Sequence, residues 1–169
     1  MRDANHTAAI EPGAIPLPGL LQIAGEAMLA EFREELTDRG YADLRPTHGC
    51  VFRFVREDGM RLTDLAGFAG ITKQSAGELV DDLVDLGYVE RTADPGDRRA
   101  KLICLTERGR EAQRVGFGIF AELEQRWAAH FGREPLDQLR ELLEEIAAEK
   151  APTSVPELSH AALAGVRGE

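Results

Sequence analysis

Two short stretches carry side chains suited to meeting a polyanion. Thr72-Lys73-Gln74-Ser75 offers a cation, an amide and two hydroxyls on consecutive residues, and "VERTADPGDRRAKLICLTERG" (residues 89–109) gathers Arg98, Arg99 and Lys101 behind a Pro-Gly turn, with Asp97 beside them. Such groups hydrogen-bond phosphates and base edges, and a glutamine amide matches the paired donor and acceptor of adenine. The setting is acidic. The 169 residues carry a formal charge of −10, but the charge is uneven: residues 1–59 carry 6 basic and 10 acidic groups, residues 60–110 carry 8 and 9, and residues 111–169 carry 6 and 11. Within 91–101 the four basic groups outnumber Asp94 and Asp97. One basic finger on an acidic body fits a protein that touches nucleic acid with a single face, because binding follows the local field rather than the net charge.

The elements that position these groups follow from periodicity and turn chemistry. Leu21, Ala24, Met28, Phe32 and Leu36 recur at helical spacing and predict a helix over 19–39. A second helix is expected over about 46–56, with Pro46 in its first turn. After Met60-Arg61-Leu62, Thr63 is a candidate N-cap for a helix over 64–69, Gly70 ends it, and Thr72 caps the next, over 73–86. Two short helices joined by a Gly-containing turn predict a helix-turn-helix. Gly87 stops the second, and residues 88–92 and 101–105 read as strands around the tip "ADPGDRRA", a wing. Thr106 then caps a helix from 107 to about 131, roughly 37 Å long at 1.5 Å per residue, which is too long for a small winged domain to cover. "FGREP" (131–135) breaks the chain before a last helix over 136–148, striped by Leu136, Leu139, Leu143 and Ile146.

The run Leu62 to Gly109 resembles the winged helix-turn-helix core of the multiple-antibiotic-resistance regulator (MarR) family. The resemblance rests on Asp97-x-Arg99 followed by a strand and Leu105-Thr106-x-x-Gly109, with "GYVER" and "ITKQS" in support, and the order of helices extends it over about 19–149. It implies a mainly α fold with a small β wing and long helical dimerisation arms. The family domain covers 19–149, and outside the resemblance fall a flexible N-terminal tail over 1–18, rich in Pro, Gly and Ala, and a C-terminal tail over 150–169. Within that domain the winged core spans 46–105, and the dimerisation helices are 19–39 and 107–149. It also implies a cytoplasmic bacterial homodimer, a repressor bound to a pseudo-palindromic duplex and released by a small aromatic effector. Thr72, Lys73, Gln74, Ser75, Arg98, Arg99 and Lys101 become the DNA-binding set. Arg99 enters the minor groove, and Asp97 supports the wing by holding the Arg99 guanidinium. In one respect the chain departs from the family pattern. Glu78, Asp81, Asp82 and Asp85 stand on the recognition helix where many members carry Arg or Lys, which limits contact to its first turn and a half, and keeps open the alternative of a winged-helix protein-interaction module without sequence-specific DNA binding.

By the same resemblance the effector pocket lies between arms and lobes, near Phe32, His48, Phe52 and Phe117. An apolar cavity with one polar group such as His48 suits an aromatic carboxylate or phenol. No cofactor or metal is expected, since His48-x-Cys50 supplies two ligands and nothing clusters with it. Cys50 and Cys104 sit among apolar neighbours, which disfavours a redox sensor or a disulfide. No Gly-x-Ser-x-Gly, P-loop or dinucleotide fingerprint points to an enzyme. No apolar run reaches the roughly 18 residues of a membrane span.

Overall fold

The computed structural model describes residues 14–150; most of the expected tails at 1–18 and 150–169 lies outside the described residues. The elements run α1 (Leu17–Asp38), a 3-10 turn (Pro46–His48), α2 (Gly49–Phe54), β1 (Met60–Arg61), α3 (Leu62–Ala69), α4 (Lys73–Asp85), β2 (Val89–Asp94), β3 (Asp97–Leu105), α5 (Glu107–Phe131) and α6 (Arg133–Lys150). The three strands form an antiparallel sheet in the order β1-β3-β2. This is a mainly α winged helix-turn-helix with long helical arms.

Local chemistry explains the boundaries, including those that differ from expectation. α1 starts at Leu17 rather than 19, because Pro16 and Pro18 fall at the N-cap and first turn, where a missing N–H costs nothing. The segment after Pro46 winds as one 3-10 turn before α2 and stops at Phe54, with Val55 already extended. Thr63 is not an N-cap. Met60 and Arg61 pair with Ile103 and Leu102 of β3, so α3 springs directly from the strand with Arg61 at its N-cap, and Thr63 sits inside the helix with its hydroxyl towards Asp64 Oδ1 at 3.3 Å. α6 begins at Arg133 instead of 136. The interruption is Gly132 alone, at φ +96°, a conformation that a side chain would strain, while Pro135 is absorbed into the first turn.

Apolar faces meet in two places. Val51, Leu65, Val80, Leu83, Tyr88, Val89, Ile103 and Leu105 bury the winged lobe's core, and Leu36, Ile119 and Leu123 with Phe32, Val115 and Trp127 join α1 to the middle of α5. Full burial stabilises each Leu or Ile by about 1.5–3 kcal/mol. The arms are otherwise uncovered: Leu17, Leu20 and Ile23 of α1, Phe131 at the end of α5, and Leu139, Leu142, Leu143 and Ile146 of α6 are all exposed.

Candidate nucleic-acid interface

The first turn of α4 is built as an exposed polar platform. Thr72 Oγ1 accepts the Ser75 backbone N–H at 3.1 Å and lies 2.9 Å from Ser75 Oγ, which satisfies one orphan donor and fixes the helix start. Ala76, Val80 and Leu83 anchor the opposite face in the core. Thr72, Lys73, Gln74 and Ser75 are all exposed, at the end where free N–H groups and the helix dipole favour an anion. Lys73 has no ion-pair partner among the described residues. Gln74 Nε2 donates to Glu78 Oε1 at 3.1 Å, one turn on.

The acidic second half of α4 is largely paired. Arg91 Nη1 lies 2.6 Å from Asp81 Oδ1, Arg45 forms an ion pair with Asp82, and Glu78 receives the Gln74 amide. Two arginines from flanking segments thus offset part of the acidic charge that sets this helix apart from the family pattern. Neither partner was visible from spacing, since each comes from another element.

The wing differs from the expected hairpin with a tip of several residues. Pro95-Gly96 alone forms the tip, closed by Asp94 opposite Asp97, while Ala93 already pairs with Lys101. On β3, Arg99 and Ala100 therefore bulge out of the ladder, and a bulge re-aims the side chains it carries. Arg99 is exposed, and like Lys101 it has no ion-pair partner among the described residues; Arg98 precedes it on β3. Asp97 does not hold the Arg99 guanidinium. Its Oδ1 accepts the Arg99 backbone N–H at 3.0 Å, because an Asp side chain reaches the N–H two residues on more readily than a long extended guanidinium. The acid that does hold an arginine is Asp94, missed by the sequence reading: Oδ2 receives Arg61 Nε at 2.8 Å and Nη2 at 2.6 Å, and Oδ1 accepts the Gly96 N–H at 2.8 Å. The Arg61 side chain, and then the Gly96 N–H, hold the Asp94 carboxyl below the ordinary carboxylate range. "DPG" signals the second bond; nothing local signals Arg61.

Phe32, His48, Phe52 and Phe117 do come together around one cavity of about 100 Å³ between α1, α2 and α5. Arg33, Arg45, Arg53 and Gln113 also line it, and among the described residues no Asp or Glu does. His48 contributes ring surface more than polar chemistry. It is 1% exposed, and its Nδ1 accepts the Arg45 backbone N–H at 3.1 Å. Burial, with Arg45 nearby, lowers its pKa and keeps it neutral. Gln113 Nε2 donates to Phe52 O at 2.6 Å. Among the described residues no cluster of three or more His, Cys, Asp or Glu is placed to hold a metal, and no helix is long and apolar enough to cross a membrane. Burial raises the Cys50 thiol, which contacts Thr47 O at 3.2 Å, and Cys104 Sγ rests 3.3 Å from Thr92 Oγ1.

A second node escaped sequence reading. Tyr88 OH donates to Asp43 Oδ1 at 2.7 Å, and Arg108 reaches Asp43 Oδ2 at 2.8 Å and the Leu86 carbonyl at 2.8 Å, with its guanidinium 4.2 Å from the Tyr88 ring centre. Burial first, and the Asp43 hydrogen bond second, push the Tyr88 hydroxyl to about 12. The cluster ties the end of α4 to the start of α5.

Comparison with known proteins places this geometry. Residues 42–100 match the model of the MarR family. HTH-type transcriptional regulator PetP of Rhodobacter capsulatus is 36% identical over 78 residues, covering 42% of this chain and 47% of that protein, so the match spans about half the length of the curated relative. The structure of transcriptional regulator PA4135 is 31% identical, covers 82% of this chain and 100% of its own, and superposes with a TM-score of 0.65. The transcriptional repressor CouR, solved bound to a 23-mer DNA duplex, is 26% identical over 78% of this chain and 92% of its own, with a TM-score of 0.67. Each of these relatives is described as a regulator of transcription, and none as an enzyme. With the Asp-x-Arg wing, the capped recognition helix and the helix order all in agreement, the chain belongs to the MarR family.

Proposed function

We propose that this protein is a dimeric, sequence-specific DNA-binding regulator of the bacterial cytoplasm, a repressor relieved by a small aromatic ligand. The observation that carries the reading is the exposed, capped first turn of α4, on a lobe where Lys73 and the wing's Arg99 and Lys101 have no ion-pair partner among the described residues. The acids of α4 favour the alternative, a winged-helix protein-interaction module; their engagement by Arg45 and Arg91 weakens it. The likeness to CouR, solved on a duplex, supports a DNA partner. The uncovered apolar rows of α1 and α6 support a two-fold dimer, since a monomer rarely exposes such patches.

The pocket supports an effector with an aromatic body and an anionic group. Its aromatic walls carry three arginines and no acid in a chain of net charge −10, and Arg33 and Arg53 have no ion-pair partner among the described residues. Selection of genomic fragments by the purified protein, followed by footprinting, tests the function. A pseudo-palindromic footprint whose affinity falls steeply with salt is expected, because phosphate contacts release counterions. Binding to no fragment, or a flat salt response, would favour the interaction module.

A further inference from the structure

The Arg61–Asp94 pair joins the two edges of the wing across its central strand. Arg61 lies on β1 and Asp94 on β2, with β3 between them, and the pair sits where the ladder fails. β3 skips from Asp97 to Lys101 while β2 advances from Asp94 to Ala93, leaving Arg99 and Ala100 without ladder partners among the described residues. Nothing in the strand pairing fixes the direction of that bulge. Asp97 Oδ1 accepts the Arg99 N–H inside it, and the clamp holds the turn from which it starts. Both Arg61 nitrogens converge on one carboxylate oxygen, and the other oxygen holds the tip through the Gly96 N–H. Asp94 is, with His48, one of two buried polar or charged residues in the described chain; its side chain is 11% exposed, while that of Arg61 is 45% exposed and shields it from the solvent side.

We propose that Arg61 is a positioning residue for DNA recognition, acting through Asp94 to hold the bulge so that Arg99 is aimed at the duplex before it arrives. The proposal rests on the DNA-binding reading above. Preorganisation lowers the ordering entropy of the contact, so the loss on breaking the clamp must appear as a loss of what Arg99 contributes.

A double-mutant cycle on the footprinted operator tests it, with Arg61→Ala, Arg99→Ala and the pair measured in full-length protein. Each single change is expected to weaken binding roughly ten-fold, and the pair little more than either alone. Arg61→Lys, which keeps the charge but loses the planar fork, should recover part of the loss. Losses that multiply would overturn the proposal, because Arg61 would then act independently of Arg99. A second arm needs no DNA: amide hydrogen exchange of residues 96–100 in the free protein should quicken by several-fold in Arg61→Ala and in Asp94→Asn, with the melting temperature of the lobe kept. Unchanged exchange rejects the clamp whatever the protein binds. Faster exchange in a protein whose Arg99→Ala variant binds like wild type would instead sink the role in recognition and, with it, the wing assignment.

Discussion

A Cβ placed on Gly109 would lie 2.0 Å from the carbonyl oxygen of Tyr88 and 3.3 Å from Leu105 Cδ2. That carbonyl also receives the Thr106 backbone N–H at 3.0 Å, while Thr106 Oγ1 accepts the Gly109 N–H at 3.1 Å. The Leu-Thr-x-x-Gly run is therefore a seat: Leu105 fills the core, Thr106 caps α5, and Gly109 lets the helix press against the end of the recognition lobe. Gly109→Ala should cost about 1–3 kcal/mol or more by forcing the helix off its seat. Gly67→Ala, with nothing within 4 Å of its Cβ, should be neutral or stabilise by up to about 1 kcal/mol. Thermal unfolding of both variants checks this; equal melting temperatures would reject the seat.

The buried, neutral His48 predicts a pH response. Its folded pKa lies below the ordinary 6.5, chiefly through burial, so on acidification the unfolded chain takes up the proton first. The stabilisation is complete above pH 6.5 and is lost as the pH falls from there towards the lowered folded value. A melting temperature that declines over this range in wild type, and less steeply in His48→Gln, is expected; identical slopes would place the titration elsewhere.

Leu142 and Ile146, one turn apart on α6 and 57% and 47% exposed, should meet a second copy. Leu142→Asp with Ile146→Asp is expected to yield monomers by light scattering at micromolar concentration, and to weaken operator binding by removing the second half-site. A dimer that survives both charges would move the interface off α6.

The sequence made elements and their faces legible where a cap or breaker acts locally. Thr72, Thr106 and Gly87 marked their boundaries because one side chain or one conformation sets each. It misled where a longer-range pairing decided. Thr63 looked like a cap until β1 docked on β3 and drew the helix start back to Leu62. Asp97, two residues before Arg99, bonds the Arg99 backbone and not its guanidinium, and the arginine that does seize a wing acid, Arg61, lies 33 residues from its partner, with nothing in spacing to connect them. The acidity of α4 was visible, but its neutralisation by Arg45 and Arg91 depends on tertiary neighbours.

On α4, Lys73 and Gln74 should separate affinity from reading. Lys73→Ala should weaken specific and random duplexes alike, since an ammonium on a phosphate carries no sequence information. Gln74 must release Glu78 to face a base, so Gln74→Ala should relax preference at one base pair by roughly 1–3 kcal/mol. Competition binding with single-position operator variants measures both. Equal losses on specific and random DNA for the two variants would mean that this turn does not read bases.

Arg99 carries the last prediction. Its guanidinium is exposed on a bulge and has no ion-pair partner among the described residues, and such a group can enter a narrow minor groove, where the negative potential is enhanced. Arg99→Ala should leave the melting temperature and the dimer intact, yet cost about 1–3 kcal/mol of operator binding. Asp97 acts on the Arg99 backbone, not on its charge. Asp97→Asn, which keeps an oxygen to accept that N–H, should therefore bind nearly as wild type, while Asp97→Ala loses part of what Arg99→Ala loses. Titration of these three variants and Arg98→Ala against one labelled operator decides the matter. If Asp97→Asn falls as far as Arg99→Ala, the carboxylate charge itself matters and the turn does not explain it; if Arg98→Ala weakens binding while Arg99→Ala does not, the inserted arginine is its neighbour.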